Sequence, residues 1–375
     1  MRLIVEAANT REILTRDLDV TEATFSKTLS GPCQIQATVP WKGPNSEYIK
    51  FKPWGQIVHV EETIMGNRRI LGSGIVQPSE LDENTGDLQL VAEGFSAYPK
   101  GIPWLQNWNP IVVDPFEIFV KAWQHIQSYP TGNLNVTVTP TSSGTYMLPG
   151  FSFDGSEFIL DFFAFFLRQA DLRDIADILN GLARDIPFDY LEVSEWNVNR
   201  TQIDKKIQLG YPMMGVQQEA MVLRFGENVL AGKAKPEAEI EWSSEVLIKG
   251  WWPGKVYSSD FTNDDSDRFR RVVKEEDAQI NSKERALAWA KRKLTRRQVP
   301  DYWEELTIDA THSNAPFGQW ALGDEIKVEG YMPWVGKVSV PQRIIGYTWD
   351  GSGQSTLRCK HEGAFNYDPI EYESS

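Results

Sequence analysis

The chain has 375 residues, too many for one ordinary hydrophobic core, so about two or three domains are expected. It is 41% hydrophobic and 24% charged, as folded proteins are, and its net charge of -14 argues against nucleic acid or an anionic membrane surface as main partner. Cys33 and Cys359 make no disulfide framework, the opening MRLIVEAANTREIL is no signal peptide, and the longest apolar run, Phe158 to Leu167, is too short for a bilayer and carries Asp161.

Residues 1 to about 102 read as strands, CQIQATVP, QIVHVEE, RRILGSGIVQP and DLQLVAEGF, separated by turns such as ENTGD. The character changes near Pro103. VDPFEIFVKAWQHI predicts a helix with Asp114 as N-cap, Pro115 in its first turn, and Phe116, Phe119, Val120 and Trp123 on one face. A strand, NLNVTVTPT, follows. DGSEFILDFFAFFLRQADLRDIADILNGL reads as one long helix, capped by Asp154 or Ser156, with Gly181 near its end and Leu172, Ile175, Leu179 and Leu182 as its apolar stripe. FDYLEVSEW and KKIQLGY read as strands.

From MVLRFGENVL onward the pattern is β again, through AEIEWSSEVLIKGWW. A helix over about 282–298 is expected, with Asn281 as N-cap, Glu284 completing the capping box, and Leu287, Ala290 and Leu294 buried. The strands ELTIDATH, DEIKVEGY, QRIIGYTWD and STLRCKHEG close the pattern, and AFNYDPIEYESS reads as a tail. The expected division is a first β unit over 1–102, an α/β insertion over 103–215, a second β unit over 216–363 and a tail over 364–375.

The two β regions repeat one another. PWGQIVHVEE, RRILGSGIV and DLQLVAEG are matched in order by LGDEIKVEG, QRIIGYTW and STLRCKHEG. Gly55 and Gly323 each open a turn before a strand; Arg69 pairs with Arg343, Gly72 with Gly346 and Gly94 with Gly363. Alternating strands can match by chance, but three in one order favour two related small β-barrels in one chain. Three such chains would present six similar units in a ring. The glycines fit a bulge or a bend at a barrel corner.

No motif for covalent, metal or phosphate chemistry survives weighing. His59, His125, His312 and His361 have no metal-ligand spacing and read as surface or strand-edge residues. GSGIV and DGSGQS lack the following helix of a phosphate loop. The carboxylate pairs Glu61-Glu62, Asp264-Asp265, Glu275-Glu276 and Glu304-Glu305 are sequence neighbours, which on strands point to opposite faces, so they read as solvated edges. The basic run KRKLTRRQ, Lys291 to Gln298, sits where cations complement a helix dipole. Fourteen tryptophans, several in loops beside Pro or Gly (Trp54, Trp104, Trp251, Trp252, Trp334), favour a core or a protein interface, with a sugar-stacking platform as the alternative. No catalytic, cofactor-binding or metal residue is assigned.

The series FKPWGQIVHVEETIMGNRRILGSGIV, LQLVAEGFSAY, SSEVLIKGW, DRFRRVVKEEDAQINSKERALAWAKRKLTRR, LTIDATHSNAPFGQWALGDEIKVEGY and QRIIGYTWDG runs in order from about Leu14 to Gly363. It resembles the tail-hub (tail-tip or baseplate-hub) proteins of long-tailed bacteriophages, particularly minor tail proteins of siphophages infecting actinobacteria. The resemblance implies a mainly β fold with α+β parts, two tail-tube-like β-barrels and an α/β domain inserted between them. It implies a non-enzymatic homotrimer in the virion tail tip, made in the host cytoplasm and without stable membrane association. The implied partners are a six-fold distal tail protein ring, the tape measure protein, other minor tail or receptor-binding proteins, and phage DNA only in passage through an acidic lumen. No room for a hydrolase domain is expected after Gly363, which places host recognition in a neighbouring protein. Trp54, Arg69, Gly72, Gly323, Arg343 and Gly346 are the candidate assembly residues. The rival reading is a cell-wall-degrading or glycan-binding tail protein.

Overall fold

The computed structural model describes residues 1–43, 49–108, 113–144, 147–148, 151–154, 157–159, 167–186, 188–235, 242–250, 256–261, 268–277, 283–298 and 302–367. The first region contributes β1 (Arg2–Ala7), β2 (Ile13–Thr15), β3 (Glu22–Thr28), β4 (Gln34–Val39), β5 (Gln56–Ile64), β6 (Asn67–Val76), β7 (Glu80–Leu81) and β8 (Leu88–Gly94). Their apolar alternation is what a two-layered β core needs: Ile35, Ala37 and Val39 of β4 and Leu90 and Ala92 of β8 point inward.

The middle region starts with α1 (Pro115–Gln127). The Asp114 carboxylate caps it by accepting from Phe116 N at 2.8 Å, and Pro115 stands in the first turn, as expected. β9 (Val136–Thr139), β10 (Met147–Leu148), β11 (Phe151–Asp154) and β12 (Glu157–Ile159) follow, then α2 (Ile175–Asp185), β13 (Asp189–Trp196) and β14 (Ile203–Gly210). The single long helix expected from residue 154 is not formed. Asp154 lies in β11, and the helix is confined to α2, whose cap is Asp174, accepting from Ala176 N at 2.8 Å. Leu172 is left-handed (φ 45°) and exposed, which interrupts the helical path just before that cap. Ile175, Leu179 and Leu182 are buried as the stripe predicts; Ser156 and Asp161 lie outside the described residues.

The last region has β15 (Gln217–Arg224), β16 (Val229–Lys235), β17 (Glu245–Gly250), β18 (Val256–Phe261), β19 (Val272–Asp277), α3 (Lys283–Arg297), β20 (Tyr302–Asp309), β21 (Glu325–Met332), β22 (Gly336–Trp349) and β23 (Gln354–His361). Asn281 lies outside the described residues. Ala286, Ala290 and Leu294 of α3 pack with Val246 and Ile248 of β17 in a small core of their own. The second β unit is thus interrupted by a layer of β17–β19 and α3.

The repeat extends to five strands. In the first region β3, β4, β8, β6 and β5 lie side by side in that order, all antiparallel. In the last, β16, β20, β23, β22 and β21 lie in the corresponding order, also all antiparallel. The flanking strands differ: β1 joins β5 antiparallel, whereas β15 joins β21 parallel. The two units share one sheet, because β3 pairs antiparallel with the C-terminal half of β22, from Gly346 opposite Thr28 to Trp349 opposite Phe25. The described pairings form an open, branched order of strands.

Gly72 and Gly346 each follow a bulged residue. Opposite β5 the register skips Leu71, and opposite β23 it skips Ile345. The Arg-Ile-X-Gly motif is therefore a strand segment in which the residue before Gly is extruded and the strand bends. At Gly72 a β-carbon would sit 2.8 Å from the Phe25 ring and 3.3 Å from Cys33 Sγ. Gly72→Val should accordingly destabilise by about 1–3 kcal/mol through overpacking. Calorimetry of the two proteins tests this; an unchanged melting temperature would contradict the close approach.

Candidate assembly site at the junction of the two β units

Gln342 to Gly346 of β22 are all buried, covered on both faces of the strand, and Arg343 among them is 1% exposed. Its guanidinium pairs with Asp189 of β13 at 2.5 Å and donates to the carbonyls of Gly323 (3.1 Å), Met214 (2.8 Å) and Ala364 (2.8 Å). Asp189 also accepts from Met214 N at 2.8 Å, and Ser30, after β3, bridges to Asp189 and Tyr190. One side chain thus gathers the insert, the second β unit, the chain after β23 and, through Asp189, the first unit. A guanidinium has enough donors in a fixed plane to do so.

Gly323 belongs to this junction. It is left-handed (φ 96°), and Gly215 (φ 93°) packs so closely that a β-carbon there would lie 2.1 Å from the Gly323 carbonyl. Only glycine allows both the dihedral and the contact. Asp324 beside it accepts from Val216 N (2.9 Å), Gln218 Nε2 (2.6 Å) and Ala321 N (3.0 Å). Residues 364–367, the start of the expected tail, are packed: Asn366 donates to Leu29 O at 2.7 Å and Tyr367 donates to Ala183 O at 2.6 Å.

The other sequence candidates lie elsewhere. Arg69 is exposed near the end of the β5–β6 hairpin, so the matched arginines have diverged in surroundings. Trp54 is half-exposed and left-handed (φ 66°), its ring 6.1 Å from Tyr98. Trp104 is buried; Trp251 and Trp252 lie outside the described residues.

Sequence reasoning missed a second polar cluster, where the first unit meets the insert. Lys205 of β14 donates to Glu6 of β1 at 2.9 Å, His59 Nε2 lies 3.4 Å from Glu6, His59 Nδ1 meets Ser73 Oγ at 2.6 Å, and Ser73 donates to Ser194 of β13 at 2.8 Å. All five residues are buried. His59 is thus not the surface residue expected. The available signal was its place in QIVHVEE, on the face of Ile57 and Glu61. Burial pushes the Glu6 carboxyl up, but His59 and Lys205 bring it down to about 2. Burial lowers the His59 and Lys205 values, against the opposing pull of the Glu6 carboxylate.

Glu192 makes a third tie. Its carboxylate, raised by burial, accepts from Cys33 N at 3.0 Å and from Ser96 N, above Gly94, where a β-carbon would collide with it. Glu61 and Glu62 are not solvated edges. They point to opposite faces of β5, as strand geometry requires, and each face is covered. Glu61 holds Arg2 and accepts from Trp196 Nε1 of the insert at 2.8 Å, whereas Glu62 accepts from Trp349 Nε1 of the second unit and from the N-terminal amine, both at 3.1 Å. Asp264 and Asp265 lie outside the described residues.

These groups are largely buried and tie the regions of the chain together, although Glu6 Oε2 and His59 Nε2, 3.4 Å apart, make no hydrogen bond. A cavity of about 300 Å³ between the first unit and the insert is lined by Glu93, Lys100, Asn180, Tyr190 and Tyr367 among others. It presents one carboxylate, where glycoside hydrolysis uses two. Among the described residues no group of His, Cys, Asp and Glu could hold a metal, and no helix is long and apolar enough to cross a membrane.

No family model and no curated protein matches the chain in sequence. Solved structures do. A 43 kDa tail protein of prophage MuSo2 from Shewanella oneidensis superposes with TM-score 0.57 at 13% identity, covering 96% of this chain and 97% of that one. A tail protein from Neisseria meningitidis gives 0.56 at 12% identity, covering 98% and 99%. Prophage tail protein gp18 from Listeria monocytogenes gives 0.54 at 12% identity, covering 97% and 96%.

Two measurements probe the junction. Arg343→Ala leaves Asp189 buried without its cation and should cost about 3–5 kcal/mol, whereas Arg69→Ala at an exposed site should change stability by roughly 0.5 kcal/mol or less; equal losses in denaturant titration would contradict the divergence of the pair. The pH profile tests the histidine. Because the folded-state value of His59 is lowered from 6.5, its stabilisation is complete above that pH and is lost as pH falls below it. His59→Gln should remove the part of the melting-temperature decline between pH 7 and 5 that the parent shows; parallel profiles would refute this. With the geometry and these superpositions in place, the chain has the fold of the phage tail proteins.

Proposed function

We propose that this chain is a structural, non-enzymatic component of a phage tail tip: a homotrimeric hub whose three copies present six similar β units. The observation that carries this reading is the five-strand repeat joined edge to edge through β3 and β22. Two units so joined have the form of neighbours in a ring, and three copies supply six. The hub would meet a six-fold distal tail protein ring on one side and a three-fold tip on the other, with the tape measure protein and further minor tail or receptor-binding proteins as neighbours. The division into units at about residues 102 and 215, with the insert between them, belongs to this reading. The net charge of -14 suits a channel wall past which DNA must slide without sticking.

A glycan-binding role is the competing reading, favoured by the exposed rings of Trp41, Trp54 and Trp334. Light scattering over a range of concentrations separates the two. Three chains of 42.7 kDa give about 128 kDa, and such particles should show pseudo-six-fold symmetry in electron micrographs. A monomer at every concentration, with saturable quenching of tryptophan fluorescence by host glycans, would replace the hub with the glycan reading.

A further inference from the structure

The junction inside the chain contains a contact whose two halves recur, exposed to solvent, at the matching places of the repeat. In the first unit the β5–β6 hairpin ends at Ile64, which is buried in the same core as Ala315, Trp320 and Leu322 of the β20–β21 connection. The fit is close: a β-carbon on Gly318 would lie 2.3 Å from Ile64 Cγ2. Glu62, on the same hairpin, holds Trp349, whose ring stacks on Phe317 at 4.2 Å. A hairpin of unit one is thus clasped by an aromatic connection of unit two.

The repeat supplies the same two parts again. The hairpin matching β5–β6 is β21–β22, and its tip is bare: Tyr331 is 71% exposed and Trp334 is fully exposed, with Val335 beside it. Trp334 holds a left-handed conformation (φ 70°), which is unfavourable for a bulky side chain. The connection matching β20–β21 is the one between β4 and β5. It too carries exposed aromatic rings, Trp41 at 65% and Trp54 at 51%. Trp41 lies over the β7–β8 turn, near exposed Leu81 and the acidic Glu80, Asp82 and Glu83, whereas exposed Lys337 stands just after the β21–β22 hairpin tip, Lys327 being paired with Glu329.

We propose that the β21–β22 hairpin tip of one copy seats against the β4–β5 connection of the next copy, with Trp334 and Tyr331 packing on Trp41 and Trp54, and Lys337 facing the acidic β7–β8 turn. This contact repeats between copies what the hairpin of unit one makes within the chain. It is heterologous, joining two different surfaces, and builds a ring when the rotation from copy to copy closes after three steps. The proposal rests on the ring reading above and adds the surface that makes the ring.

Trp334→Glu tests it without disturbing the fold, since the side chain is in solvent. The variant should keep the parental melting temperature while the dissociation constant of the assembly rises by ~30-fold or more, as for a central aromatic anchor. Cysteine cross-linking fixes the geometry. Trp334→Cys and Trp41→Cys proteins, mixed and treated with a short bismaleimide, should give a covalent dimer that neither gives alone; Cys33 and Cys359 are buried. A parental trimer left intact by Trp334→Glu, with no cross-link in the mixture, overturns this surface and leaves the trimer standing. A parental monomer at all concentrations overturns both.

Discussion

The backbone ladder between β3 and β22 is the constraint from which the rest of the molecule follows. A strand edge presents unpaired N–H and C=O groups that must find partners. Here the edge of unit one is satisfied by unit two, which makes two small sheets into one. That pairing sets the direction and register in which the repeats succeed one another. It also brings β5–β6 under the β20–β21 connection and turns Glu62 toward Trp349.

Hydrogen bonds along one edge hold two sheets as a hinge would, and the polar clusters remove that freedom. Arg343 and Asp189 tie the second unit to the insert, Glu6 and Lys205 tie the first unit to it, and Glu192 adds a further tie above Gly94. Buried ion pairs of this kind are weak sources of stability, because desolvation offsets their attraction. They are exacting about geometry, since a displaced partner leaves a charge without compensation. Segments that must keep one relative orientation are better served by such exacting contacts than by apolar contact alone.

Parts of this were legible in the residues. The α1 cap at Asp114-Pro115, the alternating strands and the matched Arg-Ile-X-Gly segments follow from local rules of period, capping and turn chemistry. The long helix through residues 154–182 was misread because apolar Phe and Leu runs satisfy helix and strand alike, and the Asp174 cap sits inside the run. His59 was misread because a histidine within alternating apolar residues shows its burial only when a second layer covers that face.

The sequence by itself determined the matched strands on either side of the insert and the glycines that mark their bends, because these depend on neighbours within a few residues. It could not decide that Arg343 would be buried and Arg69 exposed, though both stand before an apolar pair and a glycine. That depends on Asp189 and on the carbonyls of residues 214, 323 and 364 converging on one point. The burial of a charge is settled by what distant segments place around it, and only the tertiary structure holds that information.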